Sequence, residues 1–145
     1  MKLYTIGFTK KSAERFFGLL REAGVSTLVD VRLNNVSQLS GFAKRDDLKY
    51  FLSELCGTQY THRNDLAPTQ HMLDDYKKRG AGWAAYEAQF LDLMQSRRIE
   101  DTVTHELLDN AVLLCSEHSA QHCHRRLVAE YLAQQWGDVS IDHLT

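Results

Sequence analysis

The run Ala111-Val112-Leu113-Leu114-Cys115 is apolar at every position. A strand that does not alternate has both faces buried, and this is the pattern of parallel sheets covered by helices on either side. Leu3 to Phe8 and Thr27 to Val31 are two further short runs of the same kind, so several buried strands must share one sheet. Parallel neighbours need long crossovers, and the segments between these runs have to supply helices.

They carry the signals for it. Ser12 precedes Ala13, Phe16, Phe17 and Leu20 at i, i+3, i+4, i+7, and Gly24 closes the stripe, which predicts a capped amphipathic helix and a right-handed βαβ unit. Val31 to Ala43 lacks helical periodicity and reads as a polar loop of the length that serves function. Asp46 or Asp47 is expected to cap the next helix, with Leu48, Phe51, Leu52 and Leu55 inward and Gly57 at its end. Gln59 to His62 reads as a third strand, and Asn64 to Pro68 as a turn. Thr69 then caps a helix holding Met72, Leu73 and Tyr76. Trp83, Tyr86, Phe90 and Met94 form an aromatic core face, and Ile99, Val103 and Leu107 a short helix. Leu127, Val128, Tyr131, Leu132 and Trp136 line a last helix stopped by Gly137, and Val139 to Ile141 suggests an edge strand. The expected fold is α/β, a single domain over residues 1–145. It is built on an open, mostly parallel sheet of about four to five strands flanked by helices, Rossmann-like and three-layered.

Composition narrows the class of function. With 43% hydrophobic and 25% charged residues the chain is neither disordered nor fibrous. A net charge of -2 with interspersed signs offers no broad field for duplex nucleic acid, so nucleic-acid binding is not expected. Met1 to Gly7 is too short an apolar run for a signal peptide, no stretch approaches a membrane span, and three cysteines make no disulfide framework. A cytoplasmic protein is the expectation.

In open parallel sheets ligands bind beyond the carboxyl ends of the strands. That rule selects Gly7-Phe8-Thr9, Asp30-Val31-Arg32 and Cys115-Ser116-Glu117, the last continuing through His118, His122, Cys123, His124 and Arg125 into the final helix. Arg32 and Arg125 are expected to project into one crevice as a clamp for a small carboxylate or phosphate, with Gly7 and Thr9 on the binding side. The alternative for Arg32 is an ion pair with Asp30 or Glu117. Cys115, at a strand end before a helix, is a candidate nucleophile; Glu117 and Asp30 are candidates for base and orienting acid, or Asp30 shapes the turn. His124 is placed to orient or transfer a proton through its two ring nitrogens. Arg125 lies ten residues beyond Cys115, which is not the Cys-x5-Arg spacing of tyrosine-phosphatase loops. The five Cys and His residues between 115 and 124 lack the usual zinc spacing, so no metal is assigned and the cofactor is left unknown. Gly-x-Gly-x-x-Gly and Gly-Lys-Ser/Thr phosphate loops are both missing.

Tyr4-Thr5-Ile6-Gly7, Asp30-Val31-Arg32, and Leu114-Cys115-Ser116-Glu117 followed by Cys123-His124-Arg125 resemble the bacterial and archaeal domain-of-unknown-function family 488. The resemblance covers nearly the whole chain, and Ser37 to Phe42 is similar to one branch of that family. Many members carry histidine after Thr-Ile-Gly where this chain has Phe8. The family has no agreed activity, so the resemblance implies a fold and leaves the function to the residues. Three functions stay open: an enzyme acting on a small anionic substrate, a module binding nucleotides or nucleic-acid ends without turnover, and a structural or dimeric partner-binding domain using Phe42, Tyr50 and Trp83.

Overall fold

The computed structural model describes residues 1–36 and 41–145. Among them five strands form one sheet: β1 (Lys2–Gly7), β2 (Thr27–Asp30), β3 (Gln59–His62), β4 (Ala111–Cys115) and β5 (Ser140–His143). Their order is β3-β2-β4-β1-β5, and every pairing is parallel. The sheet is therefore wholly parallel where the sequence suggested mostly parallel. The all-apolar β4 sits at its centre, inserted between β2 and β1, which explains why none of its residues faces water. Its register pairs Gly7 with Cys115 and Asp30 with Leu114, so three polar or reactive strand ends finish at one edge of the sheet.

Side chains alternate between the two faces. Leu3, Val29, Leu113 and Cys115 pack with α4 (Trp83–Arg97) and α7 (His124–Trp136), while Ile6, Leu28, Val112 and Leu114 pack with α1 (Ala13–Ala23) and α2 (Arg45–Phe51). Helices on both faces of one sheet give a three-layer α/β fold. The first layer also holds α3 (Gln70–Lys77) and the single-turn helices α5 (Ile99–Thr102) and α6 (His105–Leu108), two short elements where Ile99 to Leu107 read as one. No helix among the described residues is long and apolar enough to cross a membrane.

Local chemistry sets the helix ends. Ser12 Oγ accepts from the Arg15 amide at 3.1 Å, Thr69 accepts from Met72, and Gly24 ends α1 at φ 66°, a conformation that penalises any side chain with a Cβ. Ser12→Ala is expected to lower stability by about 1 kcal/mol, the usual contribution of such a cap, read as a fall in urea midpoint at constant slope. At α2 the expectation fails: Lys44 is the N-cap, with no side-chain cap bond, and Asp46 and Asp47 fall in the first turn. The Arg45 amide is satisfied instead by the Asn35 carbonyl at 2.8 Å, and both carboxylates meet the positive end of the helix.

The same helix continues into a π-helical turn over Leu52–Cys56. The wider turn shifts the phase of the apolar stripe. Leu48 and Leu52 are buried, but Leu55 is 47% exposed, against the inward position its spacing predicted. Gly41–Ala43 forms a 3-10 turn at the end of the expected polar loop, and Ser37 to Ser40 of that loop lie outside the described residues.

Candidate active site

A cavity of about 480 Å³ opens at the carboxyl ends of β2 and β4, on the face covered by α3, α4 and α7. Its reactive wall comes from Arg32 after β2, Cys115 to Glu117 after β4, and Cys123 with His124 at the start of α7. Tyr76, Trp83 and Tyr86 supply an aromatic side, in which Trp83 stacks on His122 with ring centroids 5.0 Å apart. A cavity of this size, apolar on one side with a few convergent polar groups, is the usual form of a small-molecule site.

Arg32 is 3% exposed and held from behind. Its Nε donates to Asp30 Oδ1 and its Nη2 to Asp30 Oδ2, each at 2.8 Å, and the Arg32 amide also donates to Oδ1. Tyr60 donates its hydroxyl to Oδ2 at 2.6 Å, so both carboxylate oxygens of Asp30 are multiply bonded. Burial and the hydrogen bond to Asp30 push the Tyr60 phenol well above its ordinary pKa, which keeps it a donor at all working pH. Phe8 lies against the guanidinium, its ring centroid 5.5 Å from Cζ, which gives this residue a packing role at the site. One donor is left over: Arg32 Nη1 is buried without a hydrogen-bond partner among the described residues, in a residue that lines the cavity. A buried N–H of a cation without an acceptor is costly.

Beside it, Cys115 Sγ lies 3.5 Å from His124 Nδ1. His124 Nε2 is 2.7 Å from the Val31 carbonyl oxygen, which has no hydrogen to offer, so Nε2 is the donor there. In the neutral ring Nδ1 is then the acceptor, facing the thiol. A proton moved along this contact leaves a thiolate beside an imidazolium, the arrangement that activates cysteine nucleophiles. The Cys115 thiol is drawn below its ordinary pKa. The leading cause is a hydrogen bond from Cys123, aided by the positive charge of Arg125 and the amides of Ser116 and Glu117, and together these outweigh burial. Burial and the bond it makes to Cys115 push Cys123 well up, so Cys123 keeps its proton. The Sγ atoms of both cysteines and one ring nitrogen of His124 lie within 4.8 Å of one another, a spacing also compatible with a soft metal ion.

The sequence-derived candidates divide accordingly. Cys115, His124, Glu117 and Arg32 line the cavity, Glu117 with an exposed side chain. Asp30 lies behind Arg32 as its ion-pair partner, the alternative noted for it from the sequence. Arg125 does not join Arg32. Fully buried, it sends Nε to Thr5 Oγ1 at 3.3 Å, Nη1 to the Glu117 carbonyl at 2.6 Å and Nη2 to the His118 carbonyl at 3.3 Å. The expected two-arginine clamp is therefore not formed; Arg125 braces the loop after β4 and contributes its field to Cys115. Gly7 and Thr9 belong to that brace as well: Thr9 donates its amide to the Ser116 carbonyl at 3.0 Å, and Gly7 abuts Glu117. Tyr60 was not among the site candidates, Cys123 was weighed only as one of five soft Cys and His residues, and Trp83 only as a core or partner-binding residue. Trp83 had the spacing of a core residue, and it instead helps to wall the cavity. Cys123 carried a legible signal, since it lies in the same short Cys/His segment as Cys115 and His124.

Fold and site together define an all-parallel three-layer α/β protein with a thiol–imidazole pair and a half-saturated guanidinium at its strand ends. No curated protein and no solved structure matches the chain significantly. The family described as "Domain of unknown function DUF488" matches residues 12–132, and the chain belongs to that family.

Proposed function

We propose that this protein is an enzyme that holds a small carboxylate- or phosphate-bearing substrate on Arg32 and attacks it with the Cys115 thiolate. The observation that carries the reading is Arg32 Nη1, buried and without a hydrogen-bond partner among the described residues, in a residue that lines the same cavity as the Cys115–His124 pair. Asp30 and Tyr60 fix the guanidinium before any ligand arrives, so binding has little left to order. His124 takes the thiol proton, and the exposed Glu117 carboxylate at the mouth is available for later proton transfer.

Iodoacetate and iodoacetamide make the test, because they deliver the same carbon to sulfur and differ in charge. Cys115 Sγ bonds that carbon and iodide leaves. Near neutral pH Cys115 is expected to be the first cysteine alkylated, since burial pushes Cys56 and Cys123 up and favours their protonated forms. Free thiols show no preference for the anionic reagent, so a preference of about tenfold for iodoacetate, lost on adding inorganic phosphate, would reflect one charge-assisted hydrogen bond. Arg32→Lys keeps the charge beside Asp30 but lacks the fork, and should abolish the preference while leaving a cooperative melt. Equal rates for both reagents on the wild type, or first alkylation at Cys56, would overturn the reading.

A further inference from the structure

The proposed nucleophile has a second thiol as its neighbour. Cys123 is 2% exposed, lines the same cavity as Cys115, and has its Sγ within 4.8 Å of Cys115 Sγ. It occupies the N-cap position of α7, where a side chain commonly bonds the first-turn amides, yet it makes no such bond. The surroundings draw the Cys115 thiol down and push the Cys123 thiol up, so one member of the pair tends to the thiolate and the other holds the proton. Two thiols within 4.8 Å of each other, unequal in acidity and lining one cavity, have the layout of an attacking and a resolving cysteine.

We infer that Cys115 and Cys123 are a dithiol couple that reduces a small anionic disulfide, with Cys115 attacking and Cys123 resolving. The inference rests on Cys115 being the nucleophile of the proposed function, and it names the substrate class. In the first step the Cys115 thiolate attacks one sulfur of R–S–S–R; a Cys115–S–S–R bond forms, and the departing RS⁻ takes the proton from the His124 imidazolium. In the second, Cys123 attacks Cys115 Sγ, the Cys115–Cys123 disulfide forms, and the second RS⁻ leaves with the Cys123 proton. Two electrons pass from the pair to the substrate and give two RSH. The anionic character of R follows from Arg32, which lines the same cavity and whose Nη1 has no partner among the described residues. No further oxidant enters. The two Sγ atoms already lie within 4.8 Å of each other, against about 2 Å in a disulfide, so oxidation asks them to approach by under about 3 Å.

Oxidised glutathione, which carries several carboxylates, is the probe, and intact-mass and free-thiol measurements are the readouts. The chain has three cysteines, and Cys56 donates to the Phe17 carbonyl on the opposite face of the sheet, which makes it an internal control. Wild type is expected to lose two of its three free thiols without retaining glutathione, and peptide mapping should join residue 115 to 123. Cys123→Ser should stop at the first step, losing one thiol and keeping one glutathione on Cys115. Mapping of the wild type alone decides the matter if that variant does not fold. A stable glutathione adduct on wild-type Cys115, no reaction at Cys115, or a Cys123→Ser variant identical to wild type would overturn the inference. Bis(2-hydroxyethyl) disulfide, which is neutral, separates the two readings. If it forms the internal disulfide as fast as the anionic probe, the dithiol chemistry stands and the anion site of the proposed function falls.

Discussion

Asp30→Ala is expected to destabilise the protein by about 3–5 kcal/mol, the range for stripping one partner from a buried ion pair. Asp30 is fully buried, and its carboxylate receives the Arg32 amide, two guanidinium N–H groups and the Tyr60 hydroxyl. Removing it leaves a guanidinium almost without contact to water and no counter-charge, together with a Tyr60 hydroxyl that has lost its acceptor. Asp30→Asn should fall between wild type and alanine, since the amide oxygen still accepts while the charge is gone. Pairing Asp30→Ala with Arg32→Met should recover part of the loss, because most of it comes from the uncompensated charge and not from the missing contact. Urea melts of the four proteins measure this. A single-variant loss under about 1 kcal/mol would mean that water reaches Arg32 and that its free Nη1 is no anion site.

How far these features could be read beforehand depends on the range of the forces behind them. The strands were legible because burial on both faces leaves an unbroken apolar run, as at Ala111 to Cys115, and the ends of α1 and α3 because Ser12, Gly24 and Thr69 act on amides within a few residues. The direction in which Arg125 points was not, because it depends on β1 and the loop after β4 meeting across more than a hundred residues of chain. The insertion of β4 between β2 and β1 is equally nonlocal, and it is what brings Cys115 within one residue of the level of Asp30. Arg32 lay between these limits. It lies two positions beyond Asp30, close enough to suggest the pair, but only the folded structure shows that one guanidinium nitrogen is left over among the described residues. Trp83 followed the period of Tyr86, Phe90 and Met94 and still serves the cavity, because α4 begins at its rim.

The same loop gives the other large effect, at Gly7. A Cβ built on this residue would lie 1.6 Å from the Glu117 carbonyl oxygen and 2.9 Å from Arg125 Nη1, the two atoms that bond each other at 2.6 Å. Neither is the free end of a flexible side chain: one is backbone, and the other belongs to a buried guanidinium tied to Thr5 and His118. Gly7→Ala must therefore displace the loop, break the Arg125 bond and disturb the Thr9–Ser116 contact beside it. Overpacking of this kind costs about 1–3 kcal/mol and occasionally more, and a weakened charge-assisted hydrogen bond places this variant at the upper end. Stability alone would not separate a local clash from the positioning role given to the loop, so a second readout is needed. The Ser116 and Glu117 amides and the charge of Arg125 help to hold the Cys115 thiol down, and all three move with the loop. The alkylation rate of Cys115 by iodoacetamide rises with the thiolate fraction, so its midpoint should shift to higher pH in Gly7→Ala. The midpoint of Cys56, on the far face of the sheet, should stay in place. A folded Gly7→Ala protein with an unchanged Cys115 profile would show that the loop serves the fold and not the thiol.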